Sequence, residues 1–199
     1  MIFEQGPCNA RYDNICTPVI NSMPFSKPSS VSSPSIWSGH SFARCIATGF
    51  LSGLAPKAPG TVGSAACLLA WWLLQEAIPA AGTELAWAFF ACSTAFGWIA
   101  TSRYLQEKRS AGYEGEDPQE VVIDEWAGLS LTLLAASPSS ALDLLLAFVL
   151  FRFFDIIKPP PVSNAERLPG ATGIMLDDLV AGGYALLILQ LLRLYVLPA

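Results

Sequence analysis

Two pairs of adjacent carboxylates interrupt segments of this chain that are otherwise apolar. Asp124 and Glu125 form the first pair, and Asp177 and Asp178 form the second. Each pair is followed by a short apolar stretch that ends in Ala-Gly, so the two sequence motifs nearly match. Carboxylates in membrane-like segments are costly and usually functional, whereas single acids at helix starts can simply complement the helix dipole. Two acids on each of two helices favour a functional site.

The chain around these pairs has the composition of a membrane protein. Only 14% of its residues are charged, against about 25% in soluble domains. Apolar segments lie at residues 62–78, 84–101, 121–136, 141–157 and 174–197. At about 1.5 Å per residue they are about 24–36 Å long, near the thickness of a bilayer core. The sequence predicts an all-α, polytopic membrane protein with about five apolar helices.

The N-terminal part of the chain differs in composition from the rest. Residues 1–40 are rich in Ser and Pro, which predicts a disordered tail ahead of a membrane domain at residues 41–199. The tail shows no basic region followed by an apolar core, so we do not expect a signal peptide. His40, the only histidine, lies at its edge and argues against a mechanism built on a histidine base. A net charge of −5 argues against nucleic-acid binding.

Basic residues are distributed unevenly between the two ends of the apolar segments. The turns at residues 79–82 and 137–140 carry no Lys or Arg. The cations at the other ends are Lys57, Arg103, Lys108, Arg109, Arg152, Lys158 and Arg167. The positive-inside rule places those ends in the cytoplasm. Because both acid pairs lie at the same ends, acids and cations are expected to meet at one cytoplasmic face.

Three short stretches supply cations next to the acids. The glycine-rich turn at residues 56–64 carries Lys57 and Thr61, and it predicts either a phosphate site at a helix start or an ordinary capped helix. Arg152 and Asp155 are i,i+3 neighbours on one helix, which fits a structural ion pair. Lys158 follows them, and it either snorkels toward water or binds an anion.

Clustered carboxylates beside cations suggest metal-assisted phosphate chemistry. Carboxylate oxygens are the ligands that Mg²⁺ prefers, and Lys and Arg bind phosphate oxygens. A carboxylate-held Mg²⁺ can orient water and neutralise charge on a phosphoryl group. The candidate metal ligands are Asp124, Glu125, Asp177 and Asp178, and the candidate catalytic residues are Asp124, Glu125, Asp155 and Asp178. The candidate phosphate-binding residues are Lys57, Thr61, Arg152 and Lys158.

Two other classes of protein compete with an enzyme. A small ion-coupled transporter would also use intramembrane carboxylates, but it would need polar groups near mid-membrane and often an inverted repeat. A membrane scaffold would use the acids only as helix caps. The motifs of cysteine phosphatases, aspartyl-phosphate enzymes and CDP-alcohol transferases do not occur in the chain.

Four motifs, in order, are similar to those of a known family. They are residues 53–63, Asp117-Pro118 with residues 122–125, Phe151-Arg152 with residues 155–159, and residues 173–182. Over about residues 45–197 the chain resembles phosphatidylglycerophosphatase A. The resemblance implies an all-helical, Mg²⁺-dependent enzyme of the bacterial inner membrane with its site facing the cytoplasm. Such an enzyme hydrolyses phosphatidylglycerol phosphate, a membrane phospholipid, to phosphatidylglycerol and phosphate. Pro160 and Ala171 depart from the family pattern without removing a charged group.

Overall fold

The computed structural model describes residues 42–115, 117–137 and 140–196, and every regular element in these ranges is helical. The α-helices are α1 (Phe42–Ala47), α2 (Pro59–Ala77), α3 (Gly82–Ser110), α4 (Ile123–Leu133), α5 (Ala141–Ile157), α6 (Val162–Ala165) and α7 (Ala171–Tyr195). Two 3₁₀ turns cover Ser52–Leu54 and Pro79–Ala81. The all-α prediction is confirmed, whereas the tail predicted over residues 1–40, including His40, lies outside the described residues.

The five longer helices run alternately up and down, so every second connection returns to the same end. The starts of α2 and α4 and the end of α5 meet where Glu125 contacts Ser64 and Arg152. At the opposite end, Arg193 near the end of α7 donates to the carbonyl oxygen of Ala135 at 2.7 Å and pairs with Asp143 at 3.1 Å. The acid pairs therefore lie at the end reached by the loops at residues 111–122 and 158–170.

Helix α4 is the core of the fold. Ten of its 11 residues are buried, including both acids, and α7, α3, α2 and α5 surround it. At about 1.5 Å per residue it is about 16 Å long, too short to cross a bilayer core of about 30 Å. The apolar helix predicted within residues 121–136 is therefore present, but it is shorter than the predicted segment and does not meet the criteria for a membrane span. Its apolar character comes from burial among neighbouring helices.

Two glycines let α4 and α7 cross in backbone contact. A Cβ on Gly182 would overlap the carbonyl of Gly128, and a Cβ on Gly128 would press on the backbone of Asp178. The Thr132 hydroxyl donates across the crossing to the carbonyl of Gly182 at 3.2 Å. Asp124 and Asp178 each lie four residues, one helical turn, before their glycine. The close crossing thus brings the two acid pairs side by side.

The outside of the bundle is strongly apolar. Large side chains that are exposed on the long helices include Leu69, Trp72, Trp87, Phe96, Ile99, Leu145, Val149, Phe153, Leu187, Leu191 and Leu194. Within the described residues, two segments, Pro79–Ser110 and Ala171–Tyr195, are long and apolar enough to cross a membrane by length and composition. The structure thus contains helices at all five predicted segments, but two of them meet the criteria for a membrane span.

Candidate active site

Glu125 lies at the centre of a three-helix junction. Its Oε2 accepts a hydrogen bond of 2.5 Å from the hydroxyl of Ser64 on α2. The same oxygen lies 3.0 Å from an η-nitrogen of Arg152 on α5, and that nitrogen lies 2.7 Å from Asp155 Oδ2. The i,i+3 relationship of Arg152 and Asp155 is therefore a real ion pair, and it continues to Glu125.

The first turn of α2 lies directly against Glu125. A Cβ on Gly60 would overlap Oε1 of Glu125 and would lie 3.3 Å from Arg152. A side chain at this position would have to displace the Glu125 carboxylate, so Gly60 lets the start of α2 lie beside the acid cluster. Lys57 and Thr61 are exposed on the same turn, and the described part of the chain shows no contact between them and the acids.

The remaining acids are buried beside one another. Asp124, Asp177 and Asp178 are 9%, 6% and 3% exposed. Asp178 is within electrostatic reach of Asp124, Glu125, Asp155 and Asp177, so the five predicted acids share one site. Oδ1 of Asp124 is buried and has no hydrogen-bond partner among the described residues. A buried carboxylate oxygen without a partner is costly, and it suits an added cation or proton.

Lys158 joins the second acid pair to the following loop. Its Nζ lies 2.8 Å from Asp177 Oδ2 and 2.8 Å from Glu166 Oε1. Burial alone would lower the pKa of Lys158, but the hydrogen bonds to Asp177 and Glu166 raise the pKa above its usual value. Lys158 is therefore firmly cationic, and in the structure its charge faces two carboxylates.

The structure adds to this region three residues to which the sequence analysis gave no role of their own, although Asp117 stood in one of the family motifs. They are Ser64, Glu166 and Asp117. Asp117 lines a cleft of about 170 Å³ with Glu166 and Asp177. Surrounding protein atoms and then the charge of Asp177 raise the pKa of Asp117 to about 6. Ser64 could have been found from the sequence, because it lies one helical turn after Gly60. Glu166 could not, because its position depends on an irregular loop.

The loop that carries Asp117 is fastened to the end of α3. Lys108 forms an ion pair with Glu120, whose Oε1 also accepts from the hydroxyl of Tyr104 at 2.9 Å. Burial tends to raise the pKa of Glu120, but the Lys108 and Tyr104 hydrogen bonds lower it overall. The hydroxyl of Tyr113 donates to the carbonyl of Asp117 at 3.1 Å. These contacts fix the entry into α4.

The donor atoms present fit Mg²⁺, although they do not form a complete cage. In the described ranges, no three His, Cys, Asp or Glu side chains are arranged to hold a metal ion together. Mg²⁺ is commonly held by one or two carboxylates, with waters and substrate phosphate oxygens completing its shell. The unpartnered Oδ1 of Asp124, near Asp178, is compatible with that mode.

The fold and the site define an all-helical protein with an apolar exterior and an acid-rich, cation-bearing cluster at one end. The chain belongs to the phosphatidylglycerophosphatase A family, because the model of that family matches residues 45–193. No solved structure is significantly similar to the chain.

Named relatives agree with this family. A phosphatidylglycerophosphatase A of Escherichia coli is 35% identical over 69% of this chain and 75% of its own. One from Haemophilus influenzae is 35% identical over 76% of this chain and 89% of its own. A Bacteroides thetaiotaomicron protein with the provisional name phosphatidylinositol-3-phosphatase is 36% identical over 74% of this chain and 91% of its own. The relatives thus carry two substrate names.

Proposed function

We propose that this protein is a phosphoric monoester hydrolase that converts phosphatidylglycerol phosphate to phosphatidylglycerol and phosphate. The observation that carries the proposal is the meeting of two buried acid pairs with Arg152 and Lys158 at one end of the bundle. The family description and two named relatives support it. A phosphomonoester carries nearly two negative charges at neutral pH, which calls for cations beside any carboxylates that act on it.

In this proposal Asp124 and Asp178 hold Mg²⁺. Among the acids, Asp177 is engaged by Lys158, and Glu125 is engaged by Ser64 and Arg152. Asp124 retains a buried oxygen without a partner, which supports its choice as a ligand. When bound, the ion supplies charge neutralisation at the phosphoryl group and activation of a water molecule. Glu125 and Asp155 then hold Arg152 in place and remain available to accept a proton.

The phosphate is proposed to lie between the start of α2 and Arg152. Nε of Arg152 is buried without a hydrogen-bond partner in the described residues, so the guanidinium retains donor capacity for phosphate oxygens. The first-turn N–H groups of α2, with exposed Lys57 and Thr61, provide further donors. Lys158 approaches from the other acid pair and balances the charge of Asp177.

The apolar exterior supports a position within the membrane. Soluble monomers rarely expose large contiguous apolar surfaces, and here four long helices turn such side chains outward. We assign the acid end to the cytoplasmic side of a bacterial inner membrane from the Lys and Arg distribution. Arg193, paired with Asp143, lies at the opposite end, but the Lys and Arg residues at the acid end outnumber it.

The transporter alternative is less well supported. Helices α4 and α7 both begin at the acid end, so the two acid phrases are not related as an inverted repeat. The acids also gather at one end of the bundle, beside loop residues Glu166 and Asp117.

Phosphate release by the purified, detergent-solubilised protein tests the proposal. We expect hydrolysis of phosphatidylglycerol phosphate that requires Mg²⁺ and stops with a chelator. Phosphatidylinositol 3-phosphate and phosphatidic acid are assayed in parallel, because one relative carries a phosphatidylinositol-3-phosphatase name. A preference for phosphatidylinositol 3-phosphate would make that lipid the substrate in place of phosphatidylglycerol phosphate. Phosphate release from none of the three lipids would refute the phosphatase activity. Unchanged hydrolysis in the chelator would remove Mg²⁺ from the proposal.

A further inference from the structure

Ser64 makes the shortest side-chain contact to the acid cluster that an uncharged residue provides in the described part of the chain. It is fully buried on α2, and its hydroxyl donates to Glu125 Oε2 at 2.5 Å. A hydrogen bond from a hydroxyl to an ionised carboxylate is among the stronger hydrogen bonds in proteins. Burying a hydroxyl without such a partner would be costly.

The hydrogen bond from Ser64 gives the two carboxylate oxygens of Glu125 different surroundings. Oε2 is occupied twice, by Ser64 and by Arg152 at 3.0 Å. Oε1 points to the first turn of α2, where Gly60 has no side chain to cover it. Arg152 cannot fix this orientation alone, because its same nitrogen is shared with Asp155 at 2.7 Å. Ser64 is the contact that belongs to Glu125 only.

We infer that Ser64 is a positioning residue: it fixes the Glu125 carboxylate so that Oε1 faces the ligand space at the start of α2. The inference rests on the proposed function for its catalytic meaning, since Oε1 is there the oxygen that meets a reacting proton or water. Gly60 and Ser64, one helical turn apart, then act together on Glu125. Gly60 leaves Oε1 uncovered by a side chain, and Ser64 fixes the orientation of the carboxylate.

An isosteric pair of variants isolates the hydroxyl. Ser64→Thr keeps the hydroxyl donor, and Ser64→Val has the shape of threonine without a hydroxyl. Ser64→Ala removes the hydroxyl with the least steric change. We expect kcat to fall by roughly 10–100-fold in the Ala and Val variants, the range that a displacement of about 1 Å costs. KM should stay within about twofold, and Thr should recover most of kcat.

Ser93→Ala is the matched control. Ser93 is also a buried helical serine, but its hydroxyl contacts Ser130, away from the acids. It should lose stability as Ser64→Ala does while keeping wild-type kcat per folded molecule. A wild-type kcat in Ser64→Ala would overturn the inference. An equal loss of kcat in Ser64→Thr and Ser64→Val would overturn it as well. If the β-branched variants fail to fold, Ser64→Ala against Ser93→Ala decides it.

A thermal-unfolding cycle separates this inference from the proposed function, because it needs no substrate. Ser64→Ala is made in the wild-type and Glu125→Ala backgrounds. We expect it to lower Tm in the first and to leave Tm unchanged or higher in the second, where the hydroxyl has lost its acceptor. Additive shifts would refute the coupling even if phosphate release is confirmed. Absence of phosphate release with a coupled cycle would refute only the phosphatase.

Discussion

The ammonium group of Lys158 lies 2.8 Å from Oδ2 of Asp177, and this pair ties the end of α5 to the start of α7. Asp177 is buried and shares its site with four other acids, and Lys158 is the cation that compensates it directly. Removing that cation leaves an uncompensated buried charge, which destabilises more than the loss of a surface ion pair would.

Lys158→Gln should therefore lose activity by at least about tenfold and lower Tm. Lys108→Gln is the control, because Lys108 is similarly exposed, at 26% against 28%, and also pairs with a glutamate, Glu120. It should retain activity within a few fold. The measurements are phosphate release and thermal unfolding in the same detergent. Equal effects of the two substitutions would mean that Lys158 has only a structural role.

Asp124→Asn should inactivate the protein while stabilising it. The substitution keeps the shape but removes a buried negative charge whose Oδ1 has no partner, so Tm without divalent cations should rise. Turnover should fall by orders of magnitude, and raising Mg²⁺ should restore part of it if the ion is bound there. Asp178→Asn is expected to behave in the same way.

Asp143→Asn provides the matched control for these acid variants. Asp143 is 5% exposed and pairs with Arg193 at the far end of the bundle. Its replacement should cost about 1–3 kcal/mol of stability and leave turnover per folded molecule unchanged. An active Asp124→Asn protein with wild-type Mg²⁺ dependence would eliminate the metal-site proposal.

Gly182→Ala should disrupt the crossing of α4 and α7. The added methyl group would overlap the Gly128 carbonyl, which is backbone and cannot rotate away, so we expect a loss of at least about 1–3 kcal/mol and of activity. Gly183→Ala is an adjacent control with open space around its Cβ position. It should be neutral or stabilise by up to about 1 kcal/mol, since alanine favours helices. Similar Tm values for the two variants would contradict the close crossing.

Asp117 predicts a pH dependence of stability. Its pKa in the folded protein is about 6, above the ordinary value of 3.8, so the folded state binds its proton more tightly than the unfolded state. The resulting loss of stability grows as pH rises from about 4 to 6 and is complete above that window. Asp117→Asn should therefore raise Tm at pH 8, with a gain that shrinks toward pH 4.

Glu114→Gln, on the same loop and likewise exposed, is the control for Asp117→Asn. It changes the net charge equally without entering the cleft. A Tm gain for Asp117→Asn that is independent of pH, or one shared by Glu114→Gln, would show that the carboxyl of Asp117 is not perturbed by its site.

Membrane topology is checked by single-cysteine labelling at Gly82 and Gly112 in a cysteine-free background. Gly82 begins α3 and Gly112 follows its end, and a side chain at either meets no neighbour within 4 Å. Gly112 should react only from the cytoplasm and Gly82 only from the other side. Labelling of both from one side would refute the proposed orientation.

Helix positions and the gathering of charges at one end followed from local pattern. The apolar segments and the turns between them located the long helices, and the i,i+3 spacing of Arg152 and Asp155 predicted a contact that the structure contains. The matched Asp-to-Gly spacing in the two acid phrases also held the signal for the crossing at Gly128 and Gly182.

Features that depend on helix rotation and on neighbours could not be found in this way. The hydrogen bond of Ser64 to Glu125 joins residues 61 positions apart, and the contact of Glu166 with Lys158 depends on a loop without periodic pattern. Apolar content likewise does not distinguish lipid contact from protein contact, so the sequence could not show that α4 is enclosed by other helices.

The glycine crossing has a consequence for biosynthesis. Helix α4 is made before α7, its main partner, so its two carboxylates lack part of their enclosure until residues 171–195 have been made. A chain that stops before residue 171 lacks the second acid pair and leaves Gly128 without its counterpart. Such truncated chains should therefore be both inactive and poorly packed, which exposes them to proteolysis.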